Sequence, residues 1–167
     1  MRLTLTKQTE YALRALVWLA QADDLEQMRS HANGHANTHS NTHANGNGNG
    51  NGNRNGRHKA AAISSAVGIP PVFAARVFAQ LQRQGLLHAR AGQQGGYTLA
   101  RPATEISLLD VIEAVEGHVG SRDCVLRDTP CGADGTCLLH DAWNTAQNAL
   151  RTELARTPLM TRTPLMS

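Results

Sequence analysis

The chain has 167 residues, a formal net charge of +3 and an aromatic content of 4%. This length allows one domain, or a small domain with an appendage. The sequence holds no run of about eighteen apolar residues, and its N-terminus lacks the apolar core of a signal peptide, which argues against a membrane span and against secretion. An odd number of cysteines, three, argues against a closed disulfide framework. Clustered thiols therefore favour a reducing, cytoplasmic location.

Charge is distributed unevenly along the chain. No Asp or Glu occurs from residue 27 to residue 104. Eight acids against two arginines then follow between residues 105 and 141. One half of the protein is therefore suited to a polyanion such as DNA, and the other half should be repelled by it.

The N-terminal part predicts one helix followed by an insert. Apolar residues at helical spacing predict a helix from Thr6 to about Ala22. Residues 23–58 are predicted to be a disordered low-complexity insert, since His, Asn, Gly, Ala, Ser and Thr dominate it. Four of its histidines are spaced four residues apart, namely His31, His35, His39 and His43. Their surroundings of glycine and asparagine favour a tandem-repeat expansion over a metal site.

The next segment predicts a helix-turn-helix followed by a hairpin. A helix over residues 59–67, a Gly-Ile-Pro-Pro turn and a helix to about Gln84 precede two short strands, 86–90 and 97–100. The apolar residues of the second helix expected to face the core are Val72, Phe73, Val77, Phe78 and Leu81. This order predicts a mainly α fold with a winged helix-turn-helix domain, made of residues 1–22 and 59–104.

The second helix of this domain is expected to enter the major groove of DNA, with the hairpin as a wing on the phosphates or in the minor groove. The predicted DNA-binding residues are Lys59, Arg76, Gln80, Arg83, Arg90, Gln93 and Gln94. All of them lie in the acid-free part of the chain, which supports double-stranded DNA as the partner. A winged helix used only for protein contacts is the alternative.

Residues 105–156 predict a second unit, built around a cysteine loop. Residues 106–117 form a helix opened by Ser107 and Asp110 as an acidic capping box. After the loop, an apolar stripe marks a long helix through Trp143, Ala146, Leu150 and Leu154. A small domain cannot bury this stripe alone, so we expect the long helix to pair in a homodimer. Packing on the first helix is the alternative, and residues 157–167 are a tail without an assigned role.

The cysteine loop is the predicted chemical centre of the protein. Cys124, Cys131, Cys137 and His140 fall within seventeen residues, and glycines between them let the backbone wrap a compact group. Soft thiolates with a fourth donor suit an iron–sulfur cluster, and they also suit tetrahedral zinc. A redox enzyme is disfavoured, because the chain lacks a Cys-x2-Cys pair, a nucleotide-binding loop and a paired acid–base constellation.

Several segments resemble the Rrf-type regulators, the dimeric winged-helix iron–sulfur repressors that include IscR, NsrR and RirA. The matching segments are the opening Met-Arg-Leu-Thr, residues 10–14, the wing over residues 90–99 and the helix over residues 106–117. The cysteine loop lies where that family carries its cluster. The resemblance implies a DNA-binding repressor, not an enzyme, whose cluster senses redox state, nitric oxide or iron and cluster status.

The resemblance leaves two fourth ligands open beside the three cysteines. His140, three residues after Cys137, matches the Cys-x2-His of IscR and implies a 2Fe–2S cluster, which is favoured. Glu10 matches the acidic residue that NsrR-type proteins extend across the dimer to a 4Fe–4S cluster. A winged-helix regulator with a structural zinc site in the same loop remains the alternative.

Overall fold

The computed structural model describes residues 5–33, 56–117 and 137–160. These residues are mainly helical and include one two-stranded antiparallel sheet. The elements, in chain order, are α1 (Lys7–Asn33), α2 (Ala60–Val67), α3 (Pro71–Arg83), β1 (Leu87–Arg90), β2 (Gly96–Leu99), α4 (Leu108–Glu116) and α5 (His140–Arg156), with a short 3-10 helix, Ala103–Glu105, before α4. The predicted fold class, a winged helix-turn-helix with a hairpin wing and a long C-terminal helix, is confirmed.

The first helix is longer than predicted. We expected it to end near Ala22 and an insert to begin at residue 23, whereas α1 continues to Asn33. Residues 25–29 are Leu, Glu, Gln, Met and Arg, which are strong helix formers and extend the helix that precedes them. The other predicted edge also moves, because His58 is buried and pairs with Tyr97. The rest of the insert, residues 34–55, lies outside the described residues.

The core is assembled around α1, which contacts α2, α3, α4 and β2. Ala12, Leu16 and Leu19 of α1 are fully buried, as the apolar stripe predicts. Their neighbours from the other helices include Ile63, Phe78, Leu81 and Val111. Burial of each large side chain contributes about 1.5–3 kcal/mol. The helix-turn-helix is therefore held on one side of a single core.

Two residues predicted to be in the core are exposed. Val72 is 83% exposed and Phe73 is 42% exposed, although both belong to α3. The buried side chains of α3 are Ala74, Val77, Phe78 and Leu81. Successive helical residues turn by about 100°, so Val72 lies roughly 200° from Ala74 and faces away from the core. The prediction was wrong for Val72 and Phe73 because the buried stripe of α3 begins only at Ala74.

The hairpin follows α3 directly. Four residue pairs hold it together, from Leu87 opposite Leu99 to Arg90 opposite Gly96. A Cβ on Gly96 would lie 2.6 Å from the carbonyl oxygen of His58, and its φ of 152° also disfavours other residues. Glycine is therefore required where His58, in the segment preceding α2, crosses the base of the wing.

The C-terminal part packs on α4. The predicted capping box is present, since the Ser107 side chain accepts from the Asp110 amide and Asp110 accepts from the Ser107 amide. Arg151 of α5 forms an ion pair with Glu113 of α4, with 2.7 Å between nitrogen and oxygen. Among the described residues α5 packs mainly on α4, whereas the alternative named α1 as its neighbour.

Part of the predicted tail belongs to the fold. Leu159 is buried, and its amide donates to the carbonyl oxygen of Ile106 at 2.6 Å. The tail therefore starts later than residue 157, because Leu159 supplies an apolar side chain to the core. Among the described residues, no single helix is long and apolar enough to cross a bilayer, and α2 and α3 meet that criterion only together, across a bend of 115°.

Candidate nucleic-acid interface and metal centre

The turn between α2 and α3 sets the direction of the second helix. Gly68 adopts a left-handed conformation with φ of 68°, which ends α2. Ile69 is buried, and its amide donates to the carbonyl oxygen of Ser64 at 2.9 Å. Pro71 then occupies the first turn of α3. The resulting bend of 115° lies within the range typical of helix-turn-helix units.

The outer face of α3 carries arginines and small side chains. Its exposed residues after the first turn are Ala75, Arg76, Ala79, Gln82 and Arg83. No described carboxylate pairs with the predicted DNA-binding arginines, which are Arg76, Arg83 and Arg90. The small side chains of Ala75 and Ala79 beside Arg76 would let the helix backbone approach a duplex closely. This face combines positive charge with a profile narrow enough for a major groove.

The wing tip is attached to the start of α2. The Lys59 ammonium group donates to the carbonyl oxygens of Gly92 at 2.9 Å and of Gln93 at 2.6 Å. Arg90, Gln93 and Gln94 are exposed along the wing. Lys59, predicted as a DNA ligand, therefore has a structural role that the sequence did not suggest. It holds the wing tip in place beside the helix-turn-helix.

Gln80 is directed towards the protein rather than towards solvent. Its side-chain amide donates to the carbonyl oxygen of Val115 at 2.9 Å, near the end of α4. The side chain of Gln80 is therefore engaged within the protein, at the contact between α3 and α4, and its role in DNA binding stays a prediction. Gln80 links the helix that would bind DNA to the helix that precedes the cysteine loop.

Two predicted metal ligands lie within the described residues at the start of α5. Cys137 is half-buried, and the His140 amide donates to its carbonyl oxygen at 3.1 Å. The His140 ring is exposed and lies with its Nε2 2.9 Å from the amide nitrogen of Asn144. One tight turn therefore holds Cys137 and His140 close together. Cys124 and Cys131 lie outside the described residues.

The predicted donor set fits an iron–sulfur cluster in its chemistry. Three thiols and an imidazole supply the sulfur and nitrogen donors that such clusters accept. Within the described residues alone, no group of three His, Cys, Asp or Glu side chains is assembled for a metal. The fit therefore depends on combining Cys137 and His140 with the two cysteines of the preceding loop.

Glu10 has partners in its own helix. Its carboxylate pairs with Lys7 at 2.7 Å and with Arg14 at 2.5 Å. The hydrogen bond from Lys7 is the main reason that the pKa of the Glu10 carboxyl lies below its ordinary value. Glu10 remains about one-third exposed. To act as a ligand for a partner subunit, it would have to give up these ion pairs.

Comparison with known proteins gives a consistent family. The model of the Rrf2 family, described as iron-dependent transcriptional regulators, matches residues 51–161. An HTH-type transcriptional regulator of Mycobacterium tuberculosis is 37% identical over 102 residues, which cover 60% of this chain and 63% of that protein. The HTH-type transcriptional repressor NsrR of Streptomyces coelicolor is 34% identical over 87 residues, covering 52% of this chain and 58% of that protein. The chain thus spans less than two thirds of these relatives' length.

The fold is also found in solved structures. That of CymR, the global cysteine regulator of Bacillus subtilis, superposes with a TM-score of 0.64 and covers 95% of this chain and 94% of that chain. The two sequences are 16% identical, so this likeness shows the fold alone.

Proposed function

Because the chain belongs to the Rrf2 family of transcriptional regulators, we propose that it is a homodimeric DNA-binding repressor of the cytoplasm whose DNA affinity is controlled by an iron–sulfur cluster. The observation that carries this proposal is the basic outer face of α3 beside a wing held by Lys59. A winged helix-turn-helix with this charge suits a duplex, with α3 in the major groove.

The arginines have distinct tasks in this proposal. Arg76 and Arg83 are two helical turns apart on the exposed face of α3, so both can reach the same groove. Arg90 lies on the wing, where it would meet the phosphates beside that groove. Gln93 and Gln94 follow at the wing tip, and Lys59 acts by positioning them.

The DNA-binding proposal predicts a salt-dependent loss on removing single arginines. Arg76→Ala and Arg90→Ala should weaken operator binding, and a variant that loses a phosphate contact should show a log–log salt slope flatter by about one unit. Fluorescence anisotropy over a series of salt concentrations measures both quantities. Arg29→Ala, which removes an exposed arginine of α1, is the charge-matched control. Normal operator binding by both α3 and wing variants would contradict the placement.

The proposed cluster ligands are Cys124, Cys131, Cys137 and a fourth residue. His140 is favoured because the backbone turn that leads into α5 joins it to Cys137, through the His140 amide and the Cys137 carbonyl oxygen. Glu10 of the partner subunit is the runner-up, since Lys7 and Arg14 compete for its carboxylate. When bound, the cluster would supply a centre that reacts with oxidants or nitric oxide and changes how its ligands are held.

A chain of contacts links these ligands to the DNA-binding helix. Cys137 and His140 lie at the start of α5, which is joined to α4 by the Arg151–Glu113 ion pair. The end of α4 is joined to α3 by the Gln80 hydrogen bond to Val115. A change in how the cysteine loop holds α5 can therefore alter the position of α3 through α4, which is the differential contact that allosteric control requires.

Spectroscopy of single variants tests the ligand assignment. Anaerobically purified protein should absorb in the visible range, and His140→Ala should change its absorption and electron paramagnetic resonance spectra more than Glu10→Ala does. Cys137→Ala should abolish the cluster. A spectrum altered by Glu10→Ala alone would reverse the ranking of the fourth ligand. Colourless protein with stoichiometric zinc would replace the cluster by a structural zinc site, since zinc has no visible absorption.

A further inference from the structure

The leading end of α3 presents an apolar side chain to solvent. Val72, the second residue of α3, is 83% exposed, while the larger Phe73 beside it is 42% exposed. The Phe73 ring lies against Tyr11 with 5.8 Å between ring centroids, so it is partly covered from within the protein. Val72 is therefore the apolar group of this turn that the described structure leaves most open.

The surroundings of Val72 favour a duplex as the partner that covers it. Arg76 lies one helical turn further on, and Ala75 and Ala79 continue a low surface along the same exposed face. Acidic residues are absent from residues 27–104, which include all of α3 and the wing. An apolar protein partner would have to cover these arginines, whereas DNA pairs with them and also offers an apolar group.

We infer that Val72 is a specificity-determining residue that packs against the C5-methyl group of a thymine in the major groove. This inference rests on the proposed DNA-binding function. Residues at the start of a recognition helix contact base edges, and the thymine methyl is the apolar group exposed on the major-groove edge of the base pairs. Valine has no polar atom to offer a base, so contact with a methyl group is the recognition that its side chain supports.

The position of Arg76 relative to Val72 predicts how far apart the two contacted bases lie in the operator. Arg76 follows Val72 by four residues, about 6 Å along the helix axis. That distance corresponds to roughly two base-pair steps of 3.4 Å. An arginine in this position binds guanine by two hydrogen bonds to O6 and N7. The operator half-site should therefore contain a thymine within about two base pairs of a guanine.

The experiment is a double-mutant cycle, which combines removal of one thymine methyl group on the DNA with a change of the Val72 side chain on the protein. Duplexes that bind the full-length protein are selected from a random library, and each thymine of the selected half-site is replaced in turn by deoxyuridine, which lacks only the methyl group. Affinities are measured for the natural chain, Val72→Ala and Val72→Thr. Leu25→Ala, which shortens an exposed apolar residue of α1, is the matched control.

The expected result is coupling at one thymine. Deoxyuridine there should weaken binding by the natural chain about threefold to fivefold, as expected for loss of one buried methyl group. Val72→Ala should bind both duplexes equally and Val72→Thr should retain part of the difference, while Leu25→Ala behaves as the natural chain does. Circular dichroism confirms that the variants are folded.

Two other outcomes would overturn the inference in distinguishable ways. Specific, salt-dependent binding without any thymine coupled to Val72 would reject the methyl contact and leave the DNA-binding function standing. Failure of the natural chain to enrich any duplex, with or without its cluster, would reject the proposed function and the methyl contact together.

Discussion

Burial shifts the pKa values of two ionisable groups at α1, His58 and Asp23. His58 is buried, its Nε2 has no hydrogen-bond partner among the described residues, and its ring meets Trp18 edge-on at 4.9 Å between centroids. Desolvation lowers the pKa of His58, although the nearby Glu26 opposes the shift. Asp23 is affected in the opposite sense, since desolvation and then Glu26 and Asp24 raise its pKa to about 6.

The raised pKa of Asp23 predicts a pH-dependent gain in stability for Asp23→Asn. The folded protein holds the Asp23 proton more tightly than the unfolded chain, whose Asp pKa is near 3.8, so this residue's contribution to stability falls as pH rises from about 4 to about 6. Above that range Asp23→Asn should stabilise the fold by about 1 kcal/mol, a value reduced for solvent screening at this half-buried site.

Thermal unfolding at pH 4 and pH 8 measures the effect. The gain should be present at pH 8 and absent at pH 4, whereas the exposed Asp24→Asn should give a smaller change. Because His58 is unaltered in both variants, its own opposite pH dependence cancels in the difference from the natural chain. An equal gain at both pH values would show that titration of Asp23 is not its cause.

At the scale of elements, the wing depends on contacts from outside the hairpin. The His58 amide donates to the Tyr97 carbonyl oxygen at 3.0 Å, and the Tyr97 amide donates to the His58 carbonyl oxygen at 2.8 Å. These two hydrogen bonds fix the base of β2. Lys59 then fixes the tip through two carbonyl oxygens. Four residue pairs alone make a marginal hairpin, so these neighbouring residues are what orders it.

Removing the Lys59 contacts should loosen the wing without unfolding the protein. Lys59→Met keeps the length of the side chain but loses both hydrogen bonds, so amide exchange at residues 92–95 should accelerate and operator affinity should fall about threefold to tenfold. Lys7→Met removes the same charge from an exposed position on α1 and serves as the control. Unchanged exchange at the tip in Lys59→Met would contradict the bracing role.

At the scale of the whole molecule, two surfaces lie outside the compact core. Described side chains of α5 include none that is fully buried, and Leu138, Leu139 and Leu150 are exposed along it or just before it. A 17-residue helix without buried side chains is consistent with pairing in the proposed homodimer. The other surface is where the chain leaves α1 at Asn33 and returns at Gly56.

The segment between these two points should be dispensable. Gly56 lies beside Glu26, and Asn33 is seven residues further along α1, about 10 Å away, so a linker of about six residues can span the gap. Replacing residues 34–55 by such a linker should change operator affinity by less than about twofold, because closure cost varies slowly with loop length. Loss of the cluster or of specific DNA binding in a folded deletion variant would contradict this prediction.

Local patterns along the chain predicted most of the elements and the family. The α1 stripe, the Gly68–Pro71 turn and the Ser107–Asp110 capping box each depend on neighbours within a few residues, and all three form as predicted. The family resemblance is equally local, because it lies in short segments and in the cysteine spacing. Whether those cysteines bind a cluster stays a prediction.

Long-range contacts decided the rest. Gln80 meets Val115 and Lys59 meets Gln93 across more than thirty residues of sequence, and no periodicity along α3 or the wing contains that information. The apolar pattern of α3 includes Val72 among the expected core residues. Only the packing of α3 on α1 shows which side of the helix is covered and that Val72 lies on the other side. The sequence alone thus determined which helices form and what chemistry they bring. Tertiary packing decided which of their side chains remain exposed for a partner, because exposure depends on the neighbours that the fold brings together.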